Sequence, residues 1–145
     1  MTTDLDTLEA REHLFQGELV DMPRPECLDK LAATRVGRVA YNTAEGPVVM
    51  PVNGRVIGTD VFLRTRPGSP LALALREGKA SYQIDGFDRF QQSGWSVLVQ
   101  GDASWATAGE LPAYPSEWPV PWAAGPRLTY IRIRATEVSG RILRP

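Results

Sequence analysis

From Val36 onward apolar and polar residues alternate with a period of two, the spacing of strands that bury one face. Strands are predicted over 36–42, 47–53, 60–66, 79–85, 94–108 and 127–139, with 43–46 as a hairpin loop between the first two. Gly54 and Gly58 punctuate the stretch around Arg55-Val56-Ile57. The last strand sets Thr129, Ile131, Ile133 and Ala135 on one face and Tyr130, Arg132 and Arg134 on the other, and Gly101 offers the longest strand a place to bend. Helical spacing covers only short stretches. Leu28, Leu31 and Ala32 make an apolar face over 26–34, started by Pro25. Ser69 can cap a second helix, with Pro70 at its first position, Leu71 to Glu77 following and Gly78 ending it. A weaker pattern of Leu5, Leu8 and Phe15 suggests an N-terminal helix over 4–15. The predicted class is mainly β with short helices: six antiparallel strands closing into a small barrel, since closure removes exposed sheet edges.

Composition narrows the function classes. The 145 residues hold 16 Lys+Arg against 17 Asp+Glu, and a net charge of −1 opposes a nucleic-acid partner. Cys27 is the only cysteine, read as a small packing residue rather than a nucleophile, so a reducing compartment is expected. No apolar run approaches the roughly 18 residues that span a membrane, and Met1 to Asp6 lacks the basic and apolar regions of a signal peptide. The expectation is a cytoplasmic chain with neither nucleic-acid nor membrane partner. His13 is the only histidine, which excludes His-rich zinc sites by count and makes haem ligation a poor reading. Any chemistry is expected to belong to a cofactor.

Three segments are candidates for holding one. Leu63-Arg64-Thr65-Arg66-Pro67-Gly68-Ser69 runs from a strand through a turn to a capped helix start, bringing guanidinium groups, hydroxyls and free N–H groups to one place, as an anion requires. Strict alternation puts Arg64 and Arg66 on one side and Thr65 on the other. In Met50-Pro51-Val52-Asn53-Gly54 the proline removes a ladder donor, which marks an edge or a place where the sheet separates, with or without a flat ligand beside it. Ser93-Gly94-Trp95-Ser96 opens a strand on an aromatic that can face a ring or join the core. Asp85 and Asp88 are read as a solvated turn, and Arg132 and Arg134 as a surface or subunit contact. The stretch 112–126 holds five prolines with Trp118 and Trp122, a long irregular segment of the kind often used at sites or interfaces.

In order and spacing, these segments resemble the pyridoxamine 5′-phosphate oxidase-like flavin-binding split-barrel superfamily, in particular its actinobacterial nitroimidazole-resistance and flavin/deazaflavin reductase members. The resemblance rests on Cys27 to Leu31 leading into Val36 to Ala40, on Pro51-Val52-Asn53, on Phe62 to Ser69, on Gly94 to Gly101, and on Tyr130 to Ile133 with Val138 to Arg141. It divides the chain into an N-terminal extension or helix over 1–24 and a split-barrel domain over 25–145. It implies a homodimer binding FMN, or alternatively a deazaflavin, at the subunit interface, as an oxidoreductase moving hydride between the flavin and a small organic substrate. Arg64, Thr65, Gly68 and Ser69 would take the phosphate. Pro51, Val52 and Asn53 would follow the ring edge, Trp95 and Ser96 would line the ring, and Trp122 and Arg127 would close the site. For a deazaflavin with its longer acidic tail, Arg127, Arg132 and Arg134 would form a basic groove. Two positions depart from the family pattern: Pro70, where a cation is common, and Gly54, where an aromatic is common. Both favour the alternative of a cofactor-less dimeric ligand-binding module.

Overall fold

The computed structural model describes residues 17–122 and 129–145; the expected N-terminal helix over 4–15 and Arg127 lie outside them. Six strands form the ring: β2 (Val36–Thr43), β3 (Gly46–Ile57), β4 (Asp60–Thr65), β5 (Glu77–Asp88), β6 (Ser93–Trp105) and β7 (Thr129–Arg144). They are hydrogen-bonded in the order β7-β4-β3-β2-β5-β6, and β6 pairs again with β7 to close the circle. Every pairing is antiparallel. The predicted alternation determines what faces inward: Val39, Val61, Leu63, Ile84, Val97, Val99, Ile131 and Ile133 are all fully buried. Helix α1 (Arg24–Ala33) packs Cys27 and Leu31 into one end of this core, and α2 (Pro70–Ala74) buries Leu71 and Ala72.

The structure departs from the predicted elements in three places besides the end of α2, which stops at Ala74 with Leu75 as its C-cap, while Glu77 and Gly78, expected to finish that helix, already belong to β5. A seventh strand, β1 (Glu18–Asp21), pairs with Arg141–Arg144, so β7 runs past Ser139 to Arg144. Four mostly exposed residues have too little apolar alternation to announce a strand. Helix α1 begins at Arg24 rather than Glu26, because Pro25 lies in its first turn, where a missing N–H costs nothing. Third, β3 passes unbroken through Gly54. That glycine is a packing position: a Cβ there would lie 2.5 Å from the Tyr82 hydroxyl, and one at Gly37 on β2 would lie 2.5 Å from the same ring. Tyr82, on β5, is completely buried and fills the space both glycines leave. Beside Gly101, where a bend of β6 is expected, the β6–β7 ladder carries a bulge on β7. Gln100 pairs with Glu137 and Gly101 with Ala135, leaving Thr136 as the extra residue on β7.

Candidate functional site

The ring is unevenly zipped. β3 pairs with β2 along Gly46–Asn53, but with β4 only along Gly54–Ile57. Past Leu63, the end of β4 pairs with β7 alone, Arg64 opposite Tyr130 and Thr65 opposite Thr129. Along Met50–Asn53 the β3 ladder is therefore one-sided, and the barrel splits there. Gly54 N–H donates to the Arg35 carbonyl at 3.0 Å, which sets the alternation of the β2–β3 ladder. Pro47 and Pro51 then fall on positions whose backbone groups point away from β2, so neither removes a ladder bond. The proline in the middle of β3 marks a separated sheet.

A cleft of about 510 Å³ occupies the split. One wall is Met50–Asn53, the other is Arg64–Leu71, and Pro121 contributes from the Pro/Trp-rich segment. The second wall is shaped by a tight turn. Ser69 N–H donates to the Arg66 carbonyl at 3.1 Å, with Pro67 and Gly68 at the corner. Gly68 has φ +76°, the left-handed conformation that the third position of a type II turn demands. Ser69 caps α2 as the sequence predicts, its Oγ accepting from Ala72 N–H at 3.1 Å. The same Oγ lies 2.8 Å from Thr65 Oγ1. These two hydroxyls own two protons and one is used between them. Among the described residues no further acceptor takes the other, which leaves it for a molecule in the cleft.

Arg64, Thr65 and Arg66 all line this cleft, although alternation assigned Thr65 to the opposite side. Thr65 does point inward with Val61 and Leu63, but at the split the interior is open, and Arg66 already lies in the turn. The Arg64 guanidinium sits 5.1 Å from the centre of the Tyr130 ring. Tyr130 in turn meets Trp118 edge-on at 5.6 Å, and Trp118 Nε1 donates to the Pro112 carbonyl at 2.9 Å. Pro119 is fully buried, and Trp122 N–H donates to Asn53 Oδ1 at 2.9 Å. The segment 112–122 is thus strapped across the end of the cleft, with the Trp122 indole 78% exposed at its rim.

Other predicted site residues are not brought here. Trp95 and Ser96 lie on β6, opposite Ile142 and Arg141 of β7. The Trp95 ring packs against the core under Lys30, whose Nζ is 4.6 Å from the ring centre. This is the core outcome left open for a strand tryptophan, and within one chain neither residue reaches the cleft. The arginine groove is also altered. Arg132 donates to Asp60 and Glu110, both at 2.8 Å, and Arg134 lies 3.9 Å from Glu110. The Thr107 N–H and then Arg132 hold the Glu110 carboxyl below its ordinary range. Arg132 is committed to this network.

Asp88 accepts from Phe90 and Gln91 N–H in the β5–β6 turn, and Asp85 pairs with Arg38, so the two carboxylates do separate structural tasks. Cys27 is buried with its thiol pushed up by desolvation, as befits a packing residue. Burial likewise pushes the Tyr82 hydroxyl up to about 12, and it has no hydrogen-bond partner among the described residues. Sequence reasoning missed the Asn53 contact to the Trp122 backbone. Only the co-occurrence of Asn53 and a long tryptophan-bearing segment hinted at it.

Among the described residues no helix is long and apolar enough to cross a membrane, and no cluster of His, Cys, Asp and Glu could hold a metal ion. The family profile described as pyridoxamine 5′-phosphate oxidase matches residues 23–142. The uncharacterized protein Rv0080 of Mycobacterium tuberculosis is 30% identical over 128 residues, 85% of this chain and 84% of that protein. An FAD binding protein from Mycobacterium smegmatis superposes with a TM-score of 0.75 at 26% identity, covering 87% of this chain and 99% of that one. A 5-nitroimidazole antibiotic resistance protein from Bacteroides thetaiotaomicron shares the fold at 11% identity, with a TM-score of 0.69 over 87% of this chain and 88% of its own. The profile match across nearly the whole chain, on a split β-barrel, shows that this chain belongs to the pyridoxamine 5′-phosphate oxidase family.

Proposed function

We propose that the chain binds a flavin nucleotide in the β3–β4 cleft and works with it as an oxidoreductase on a small organic substrate. The observation that supports this is the meeting, across one opening of about 510 Å³, of a one-sided strand edge and an anion-binding corner. That volume lies within the roughly 300–1,000 Å³ usual for small-molecule sites. The donor set fits the group. Arg64, Arg66 and the spare proton of the Thr65–Ser69 pair suit a phosphate. The outward-facing Pro51 backbone suits the polar edge of a flat ring. Gly54 does not oppose the reading, because its missing side chain would point at Tyr82 in the core rather than into the cleft.

When bound, the flavin supplies the hydride chemistry; the chain's own residues hold and orient it. FMN and FAD share the ring and the phosphate these residues address, and the FAD-binding relative supports either. A deazaflavin is less favoured, because Arg132 is already paired with Asp60 and Glu110 and is not available to an acidic tail. A homodimer completes the reading, since Trp95 and Ser96 can face a ring only from a second copy.

The visible absorption spectrum of the purified protein, with mass spectrometry of whatever denaturation releases, tests the proposal directly. FMN or FAD near one per chain is expected. Arg64→Ala should then weaken flavin retention by roughly ten- to a hundredfold in a titration, the loss of one charge-assisted hydrogen bond. A colourless protein that takes up FMN, FAD and a deazaflavin equally poorly would leave the cofactor-less binding module instead.

A further inference from the structure

Asn53 meets two partners at once. Its side-chain oxygen accepts from Trp122 N–H at 2.9 Å, and the residue also lines the cleft. A backbone N–H can only donate, so the oxygen end of this carboxamide is committed to the strap and the amide flip is settled. The Nδ2 end, with two protons, finds no acceptor among the described residues. The residue is held firmly on both sides. Asn53 lies opposite Val36 on β2, and Gly54 beside it is tied to the Arg35 carbonyl and backed by the Tyr82 ring. The strap is fixed independently through buried Pro119 and through Trp118 against Tyr130.

We infer that Asn53 is a specificity-determining residue with a divided carboxamide: its oxygen latches Trp122 at the cleft rim, while its Nδ2 protons are presented to the bound molecule. The cleft therefore selects ligands that offer a hydrogen-bond acceptor, a ring carbonyl or an unprotonated ring nitrogen, beside the point where β3 leaves β4. A ligand offering only a donor there would leave Nδ2 unpaired and be rejected. This deepens the flavin reading and rests on it for the ligand's identity. The latch itself does not depend on that identity.

Two variants separate the roles. Asn53→Asp keeps the shape and an oxygen for Trp122 N–H but removes the donor at neutral pH; Asn53→Ala removes both. Amide hydrogen exchange at Trp122, measured without ligand, reads the latch. It should quicken in Asn53→Ala and remain as in the wild type in Asn53→Asp. Titration with FMN, and in parallel with FAD, reads the donor. Affinity should fall about tenfold or more in both variants. It should recover in Asn53→Asp alone as pH falls through the ordinary carboxyl range near 4, where the introduced group regains a proton to donate.

Wild-type affinity in Asn53→Asp at neutral pH overturns the donor role. Unchanged exchange at Trp122 in Asn53→Ala overturns the latch. Wild-type protein that takes up neither FMN nor FAD overturns the flavin reading together with the donor role, and the exchange measurement still decides the latch.

Discussion

The two sides of this barrel are built from the same kind of strand and behave differently. On one side β6 and β7 stay paired over twelve positions, from Gly94 opposite Leu143 to Trp105 opposite Ile131, with a single bulge at Gln100/Gly101. On the other, β3 and β4 share only four pairs before they part. The long seam buries Val97, Val99, Ile131 and Ile133 completely. The short seam ends at Gly54, and beyond it lie Pro51, Asn53 and the Arg64–Ser69 corner. Apolar side chains are enclosed where pairing is continuous, and the candidate site lies where pairing stops, because an interrupted ladder exposes backbone groups and polar side chains together. Tyr82 sits between the two regions. It belongs to the core, yet it backs β2 and β3 at the place where the split begins.

The strongest test of that division is Gly54→Val. Its side chain must enter the space of the Tyr82 ring, where no rotamer relieves a 2.5 Å contact. A loss of about 3 kcal/mol is expected, seen as a large drop in Tm. A Gly54→Val protein that melts like the wild type would show that Tyr82 does not set the start of the split. Ser69→Ala acts on the open side. It removes the α2 cap and half of the hydroxyl pair, so thermal melts should show a loss of about 1 kcal/mol. Flavin affinity should fall by about tenfold in the same protein. Equal affinity with reduced stability would confine Ser69 to capping.

Tyr82→Phe sharpens the same boundary from the core side. The hydroxyl is buried without a partner among the described residues, so deleting it should leave stability unchanged or raise it by up to about 1 kcal/mol in chemical denaturation. A marked loss would reveal a partner for that hydroxyl.

The smallest effect belongs to Glu110, which does not line the cleft. Its carboxyl is held below its ordinary range when folded, first by Thr107 N–H and then by Arg132. The unfolded chain therefore binds the proton more readily, and stability is favoured above the unfolded value near 4.3 and lost as pH falls through the lower, folded one. Glu110→Gln should flatten that acid limb in melts between about pH 5 and pH 3, with little change at neutral pH. An unchanged limb would assign the acid loss to other carboxylates.

Much of the architecture was legible because its causes are local. Period-two alternation announced all six ring strands, and Ser69 with Pro70 announced the start of α2. Pro51 announced an edge or a separation of the sheet, and that too is local: a missing N–H is acceptable only where a ladder bond is absent. The candidate site was legible in its two walls and not in its third. Gly54 looked like punctuation because its reason, Tyr82, lies in β5. Trp95 stayed undecided between ring and core because the neighbours it meets, Lys30 and Ile142, come from α1 and β7. Arg132 looked like a surface or subunit contact because its partners Asp60 and Glu110 are distant along the chain.

By itself the sequence determined the six ring strands, which side of each is apolar, the hairpin at 43–46 and the Ser69 cap, and which segments carry the arginines and hydroxyls of the candidate site. These follow from dihedral preferences and hydrogen bonds that span a few residues. Tertiary structure alone decided that β7 closes the ring onto β6, that β3 leaves β4 after Gly54, and that Asn53 holds Trp122. Those choices are settled by contacts between residues far apart in sequence, where many pairings compete and the one that buries the most apolar surface with every ladder bond satisfied prevails.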